Sequence, residues 1–146
     1  MFRRYLKDQR GLTLVELLAV VVILGIIAAI AIPSVGNIIE NSRKDAHIAN
    51  AQMLANAARM AATAEGKATG DYTLEELQKE GFISDIQVPG GDGNYDAEDT
   101  KVSITSDKDT TKQIIKVTLS DGKTTFVEDK DISSLGRDEV VLEDEK

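Results

Sequence analysis

Twenty-one residues from Leu12 to Ile32 contain one charged side chain, Glu16. That length is close to the ~20 residues a helix needs to cross the hydrocarbon core of a bilayer. From Leu17 to Ile39 there is no charge at all. A carboxylate inside such a run costs roughly 2.5–3.5 kcal/mol at a helix centre by insertion scales. The segment is therefore a membrane-length helix carrying one costly group, and any reading of the chain has to say what that group is for.

The charges on either side give the run a direction. Residues 1–11 hold Arg3, Arg4, Lys7 and Arg10 against Asp8, a net of +3, so the rest of the chain carries −11 of the overall −8. Just after the run, Glu40, Arg43, Lys44 and Asp45 cancel. The excess of Lys and Arg before the run places the N-terminus in the cytoplasm and the acidic remainder outside. That remainder is a poor match for nucleic acid, because phosphate binding draws on Lys and Arg. The chain has no cysteine, so neither a disulfide nor a thiolate metal site is available. With three Phe, three Tyr and no Trp, the core outside the membrane must be small and aliphatic.

Two ordinary readings fit this layout. One is a cleaved secretory signal, for which Ala29-Ile30-Ala31 offers small residues at the cut. Glu16 inside the apolar region and Pro33 just beyond it argue against that reading. The other is a plain transmembrane anchor with Glu16 paired to a helper protein.

A third reading comes from the residues "RGLTLVELL" (Arg10–Leu18). They resemble the class III signal of type IV prepilins and pseudopilins, in which a short basic leader ends in Gly and the fifth mature residue is Glu. Gly11 would end the leader, Leu12 would begin the mature chain and Glu16 would be its fifth residue. Gly25 and Pro33 match a glycine and a helix-bending proline common in pilins. Leu12 departs from the family, which more often has Phe there. The resemblance implies cleavage between Gly11 and Leu12 by a prepilin peptidase and N-methylation of Leu12. It further implies storage in the cytoplasmic membrane, polymerisation by an assembly platform and its ATPase, and an extracellular filament of identical subunits. The implied fold is α+β and pilin-like, a long helix packed on a small antiparallel sheet. Its expected parts are a leader (1–11), a membrane and filament-core helix (12–33), the amphipathic half of the stem (34–65) and a head (66–146).

On this resemblance Glu16 acquires a purpose. Cleavage frees an α-amine, cationic at neutral pH with a reference pKa of about 7.7–8. In a staggered array, Glu16 of one subunit meets the Leu12 amine of the next. Each buried charge alone costs several kcal/mol, most of which pairing offsets. A slip of one turn would leave both unpaired, so the pair sets register. Gly25 and Pro33 cost about 1 and 3 kcal/mol against Ala in a helix interior. They mark Gly25–Pro33 as a weak, extensible stretch or a simple kink.

Beyond Pro33, Val35, Ile39, Ser42, Ala46, Ala49, Met53, Ala57, Met60 and Ala64 recur every three or four residues. This predicts an amphipathic helix, and the dense Ala from Ala46 to Ala64 is expected to let a sheet or another helix approach closely, so that the strands pack against an Ala-rich stem. Asn37, Glu40, Lys44, His47 and Arg59 lie opposite, so His47, the one histidine, is expected to be exposed. "DYTLEELQKEGFI" predicts a short helix with a Thr73–Glu76 capping box, Leu74 and Leu77 inward and Gly81 as its stop. Val102 and Ile104, then Ile115, Val117 and Leu119, alternate as strands. Asp121-Gly122 signals a hairpin returning through Phe126 and Val127, giving three strands, with Val140–Leu142 as a further edge strand.

Chemistry is sparse. Asp92, Asn94, Asp96, Glu98 and Asp99 form an oxygen-rich loop, a candidate calcium site that competes with a solvated acidic loop. The spacing fails as an EF-hand, with Ala97 where Gly is required and Ser103 where Glu is required. Gly90-Gly91-Asp92-Gly93 has no phosphate-binding Lys. No other cofactor is indicated, and a structural subunit fits better than an enzyme. The alternatives kept are a competence or type II secretion pseudopilin and a non-assembling anchored or secreted binding module. DNA would be at most an indirect partner.

Overall fold

A computed structural model describes residues 5–107 and 112–143, with side chains described from Thr13 onward. The chain divides into two compact units, Met1–Glu40 and Asn41–Lys146.

The first unit is part of one helix, α1, assigned from Tyr5 to Ala64. Leu, Val, Ile and Ala sustain it, and assignment continues through Gly25 and Pro33. Pro33 has no N–H to give the carbonyl of Ala29. Every described residue from Thr13 to Ile38 is exposed. Large apolar side chains there stand open, from Val35 at 51% to Ile30 and Ile32 at 71%.

The second unit carries the rest of α1 and the head. Helix α1 stops at a Schellman motif. Gly66 takes φ +68, the Lys67 N–H reaches the Ala62 carbonyl at 2.8 Å, and the Gly66 N–H reaches Thr63 at 3.1 Å. Strand β1 (Gly70–Thr73) runs into helix α2 (Leu74–Lys79). The expected capping box is present: the Glu76 N–H donates to Thr73 Oγ1 at 3.2 Å, and the Thr73 N–H donates to Glu76 Oε2 at 3.0 Å. Leu74 and Leu77 are buried, and Gly81 at φ +78 ends the helix. Strands β2 (Lys101–Ser106), β3 (Gln113–Ser120) and β4 (Thr125–Asp131) follow, then a 3-10 turn at Arg137–Glu139. The sheet is an antiparallel meander in the order β1-β2-β3-β4. Val102, Ile104, Ile115, Val117, Leu119, Phe126 and Val127 form one core with Ala51, Leu54, Ala55, Ala58, Ala61 and Ala62 of α1. The expected α+β, pilin-like class is the one observed.

Four expectations require correction. The sheet has four strands, not three; β1 is short, and only Tyr72 of its residues is buried. Val140–Leu142 is not a strand. Val140 and Leu142 plug the core, while the Val141 N–H donates to the Phe126 carbonyl at 2.9 Å. The sheet packs on the Ala-rich stem as expected, but the buried face takes only Ala57 from the stripe read from the sequence. Ala51, Leu54, Ala55, Ala57, Ala58, Ala61 and Ala62 are buried there, whereas Met53 and Met60 stand 47% and 57% exposed. The close approach of helix to sheet selects Ala over Met, so size outweighs hydropathy in choosing the buried face. His47, expected in solvent, is fully buried.

Candidate functional site: the stem helix

Glu16 sits exposed on α1, among Val15, Leu17 and Leu18, each at least 61% exposed. Gly11 and Leu12 lie within the stretch assigned to α1. Glu16 lies four positions after Leu12, about 6 Å of axial rise along the helix. Gly25 and Pro33 lie further along, and no heavy atom comes within 4 Å of a Cβ built at Gly25. One helix thus carries all of these positions, spread along its axis rather than gathered at one point. Thr13–Ala64 holds the one stretch among the described residues that is long and apolar enough to cross a membrane.

The acidic loop is built differently. Asp92, Asn94, Glu98 and Asp99 are exposed and Asp96 is half-buried. The Asp96 carboxylate is already occupied, accepting from the backbone N–H groups of Glu98 and Asp99 at 2.9 Å each. The Asp96 N–H in turn donates to Ser120 at 2.8 Å, tying the loop to the end of β3. Among the described residues, no three His, Asp or Glu side chains converge as metal ligands would.

Two features of the head escaped the sequence reading. His47 stacks on Phe126, with ring centroids 4.3 Å apart, and its Nδ1 lies 2.6 Å from the Tyr95 hydroxyl. Asn50 Nδ2 donates to that hydroxyl at 3.4 Å, and the other ring nitrogen, Nε2, has no partner. Burial holds the imidazole down at about 4 and pushes the Tyr95 phenol up to about 12. A step of four and three through His47, Ala51, Leu54, Ala58 and Ala61 was the signal that could have found this face. The second feature is a two-pronged ion pair, Arg137 Nε and Nη2 donating to Asp45 at 2.6 and 2.5 Å, which fastens the C-terminal turn to α1. Nothing local in the sequence links positions 92 residues apart.

Known proteins share features with the stem. Residues 6–32 match the family model described as the prokaryotic N-terminal methylation motif. A relative described as "Fimbrial protein" from Pseudomonas aeruginosa is 27% identical over 110 residues, 75% of this chain and 68% of the relative. The stem thus carries an N-terminal methylation motif, and the chain is similar to a fimbrial protein. None of the solved structures gives a match. The methylation motif spans the membrane-length part of α1 and Glu16, and stops short of the head.

Proposed function

We propose that this chain is a structural subunit of a type IV pilus-like filament, not an enzyme. It is made as a membrane-held precursor, cut between Gly11 and Leu12, methylated on the Leu12 amine and polymerised from the membrane by an assembly platform and ATPase onto the cell surface. The observation that carries this reading is Glu16, a lone carboxylate on an open apolar helix, five residues after Gly11 within the matched motif. In the filament it pairs with the Leu12 amine of a neighbour and fixes axial register, since a one-turn slip strands both charges. Gly25–Pro33 supplies the weak stretch through which the helix yields under tension. The relative's description as a fimbrial protein favours a pilus over a competence or secretion pseudopilin.

Intact-mass analysis tests the processing. A chain beginning at Leu12 with one added methyl is expected. A start at Ile32 would indicate ordinary secretion, and an intact Met1 would indicate a plain anchor. Either result overturns the reading.

A further inference from the structure

Residues 136–143 cross the head as a strap that touches both α1 and β4. Val140 and Leu142 fill the core from it, and the Val141 N–H donates to the Phe126 carbonyl at 2.9 Å. At the surface it is tied by the Arg137–Asp45 pair to α1 and by Lys130 to Glu139 at 3.3 Å. Exposed ion pairs of this kind hold weakly. His47 lies beneath the strap: Leu142 and Glu143 form one wall of a cavity of about 190 Å³ that His47, Arg43 and Phe126 also line. The other walls are firmer. Helix α1 and strand β4 are regular elements, and the loop 88–91 is pinned by its own backbone, Val88 N–H to the Gly93 carbonyl at 2.9 Å and Gly91 N–H to the Val88 carbonyl at 3.2 Å.

A neutral imidazole suits this closed arrangement, since its Nδ1 has the Tyr95 hydroxyl at 2.6 Å. An imidazolium must donate from both nitrogens. Nε2 is buried with no partner, so the closed head offers the second N–H no acceptor. A charge buried without its hydrogen bond is costly. The groups facing the ring do not offset this. Arg43 from α1 and Glu143 from the strap are the charged side chains lining the cavity among the described residues, one of each sign, and Glu143 stands exposed. Tyr95 brings a phenol that burial keeps neutral, and β4 brings the Phe126 ring. We propose that the strap is an acid-opened latch with His47 as its sensor: protonation of the ring lifts residues 140–142 off the core, lets water reach Nε2 and bares the sockets of Val140 and Leu142, while α1 and the sheet stay folded. The strap is the wall that yields, because it ends the described chain and its outer ties are exposed ion pairs.

Amide hydrogen exchange of the full chain in detergent, followed by NMR between pH 6.5 and 4.5 and corrected for intrinsic rates, reads the opening of strap and core separately. Val141 reports the strap; Val117 and Leu119, buried in β3, report the core. Val141 should exchange more readily than the β3 amides at every pH. Its opening constant should rise about fortyfold over this window, as expected for a ring held at about 4 when closed and returning to 6.5 when open. In His47→Phe the rise should collapse, leaving the small share of Asp45, which acts near and below pH 4. In Asp45→Asn the strap should open more often and keep the rise. A Val141 opening constant that ignores pH would overturn the latch, and so would exchange at Val141 that occurs only together with the β3 amides. Both outcomes are read on the native chain, so they decide the matter even if His47→Phe fails to fold. A rise undiminished in a folded His47→Phe would overturn His47 as the sensor.

Discussion

His47 should make the head acid-sensitive within a defined pH window. The imidazole is fully buried, stacked on Phe126 and bonded through Nδ1 to Tyr95. Arg43 and Glu143 line the same cavity of about 190 Å³. Burial lowers its pKa from 6.5 to about 4. The unfolded chain therefore binds this proton more readily than the folded one. The stability contributed by the neutral ring is complete above pH 6.5, falls as pH drops toward 4 and levels off below that. At 1.36 kcal/mol per pKa unit, the loss is about 3 kcal/mol. The carboxylates act lower in pH. Hydrogen bonds from Arg137 hold Asp45 below its usual range, and those from Ser133 do the same for Asp131, so both lose their contribution only near and below pH 4. The assay is denaturant unfolding of the full chain in detergent between pH 7 and 4.5, read by the near-ultraviolet signal of the buried tyrosines Tyr72 and Tyr95. His47→Phe keeps a ring against Phe126 and binds no proton. Its absolute stability will shift with the altered volume, but its slope over this window should flatten. A slope identical to that of the native chain would refute the reasoning. So would an imidazole NMR resonance, which the lone histidine makes unambiguous, titrating near 6.5.

Glu16→Ala should be processed at Gly11 and yet yield few filaments by electron microscopy; a normal yield would dispose of the register argument. Thr73→Ala removes half of the capping box and should cost about 1 kcal/mol of head stability in thermal melts. Asp45→Asn should speed amide hydrogen exchange at Val140–Leu142, with little change in global melting, because the Arg137 pair that fastens this segment is solvent-exposed; high salt should mimic it. Calcium added to the chain should leave the melting temperature unmoved, since the Asp96 carboxylate already accepts two backbone N–H groups; a clear rise would show that the loop rearranges around the ion.

Local rules were the ones legible in the sequence. The capping box at Thr73, the stop at Gly81 and the Asp121-Gly122 turn each depend on a few adjacent residues, and each forms as expected. The alternation of Val102 and Ile104 and of Ile115, Val117 and Leu119 points them inward, because a strand buried on one face has no freedom in register. Long-range features were illegible. Strand β1 is four residues with one buried side chain, too short for alternation to announce it. Val140 and Leu142 read as a strand pair but act as plugs, since the Asp45–Arg137 contact that brings the tail to α1 joins distant positions. The membrane-length run with Glu16 was plain from the start, because it needs no partner within the chain to be recognised.

The most instructive failure is the choice of helix face, because it separates two demands on α1 that hydropathy alone merges. Between Ala46 and Ala64 thirteen of nineteen positions are apolar, so two stripes a part-turn apart pass the same periodicity test. The head takes the alanine stripe, since a helix packed closely on a sheet excludes long side chains and rewards Ala51, Ala55, Ala58 and Ala62. The methionine stripe would gain more from burial by transfer free energy, about 25 cal/mol per Å² of apolar surface. This chain nevertheless leaves Met53 and Met60 outside and places a histidine with an unpartnered nitrogen inside, so the fit against the sheet and not hydropathy selects the buried face. Exchanging the two stripes, with alanine at 53 and 60 and methionine at 55 and 58, should therefore lower head stability in dispersed subunits through overpacking. Unchanged denaturant stability would refute this account of the buried face.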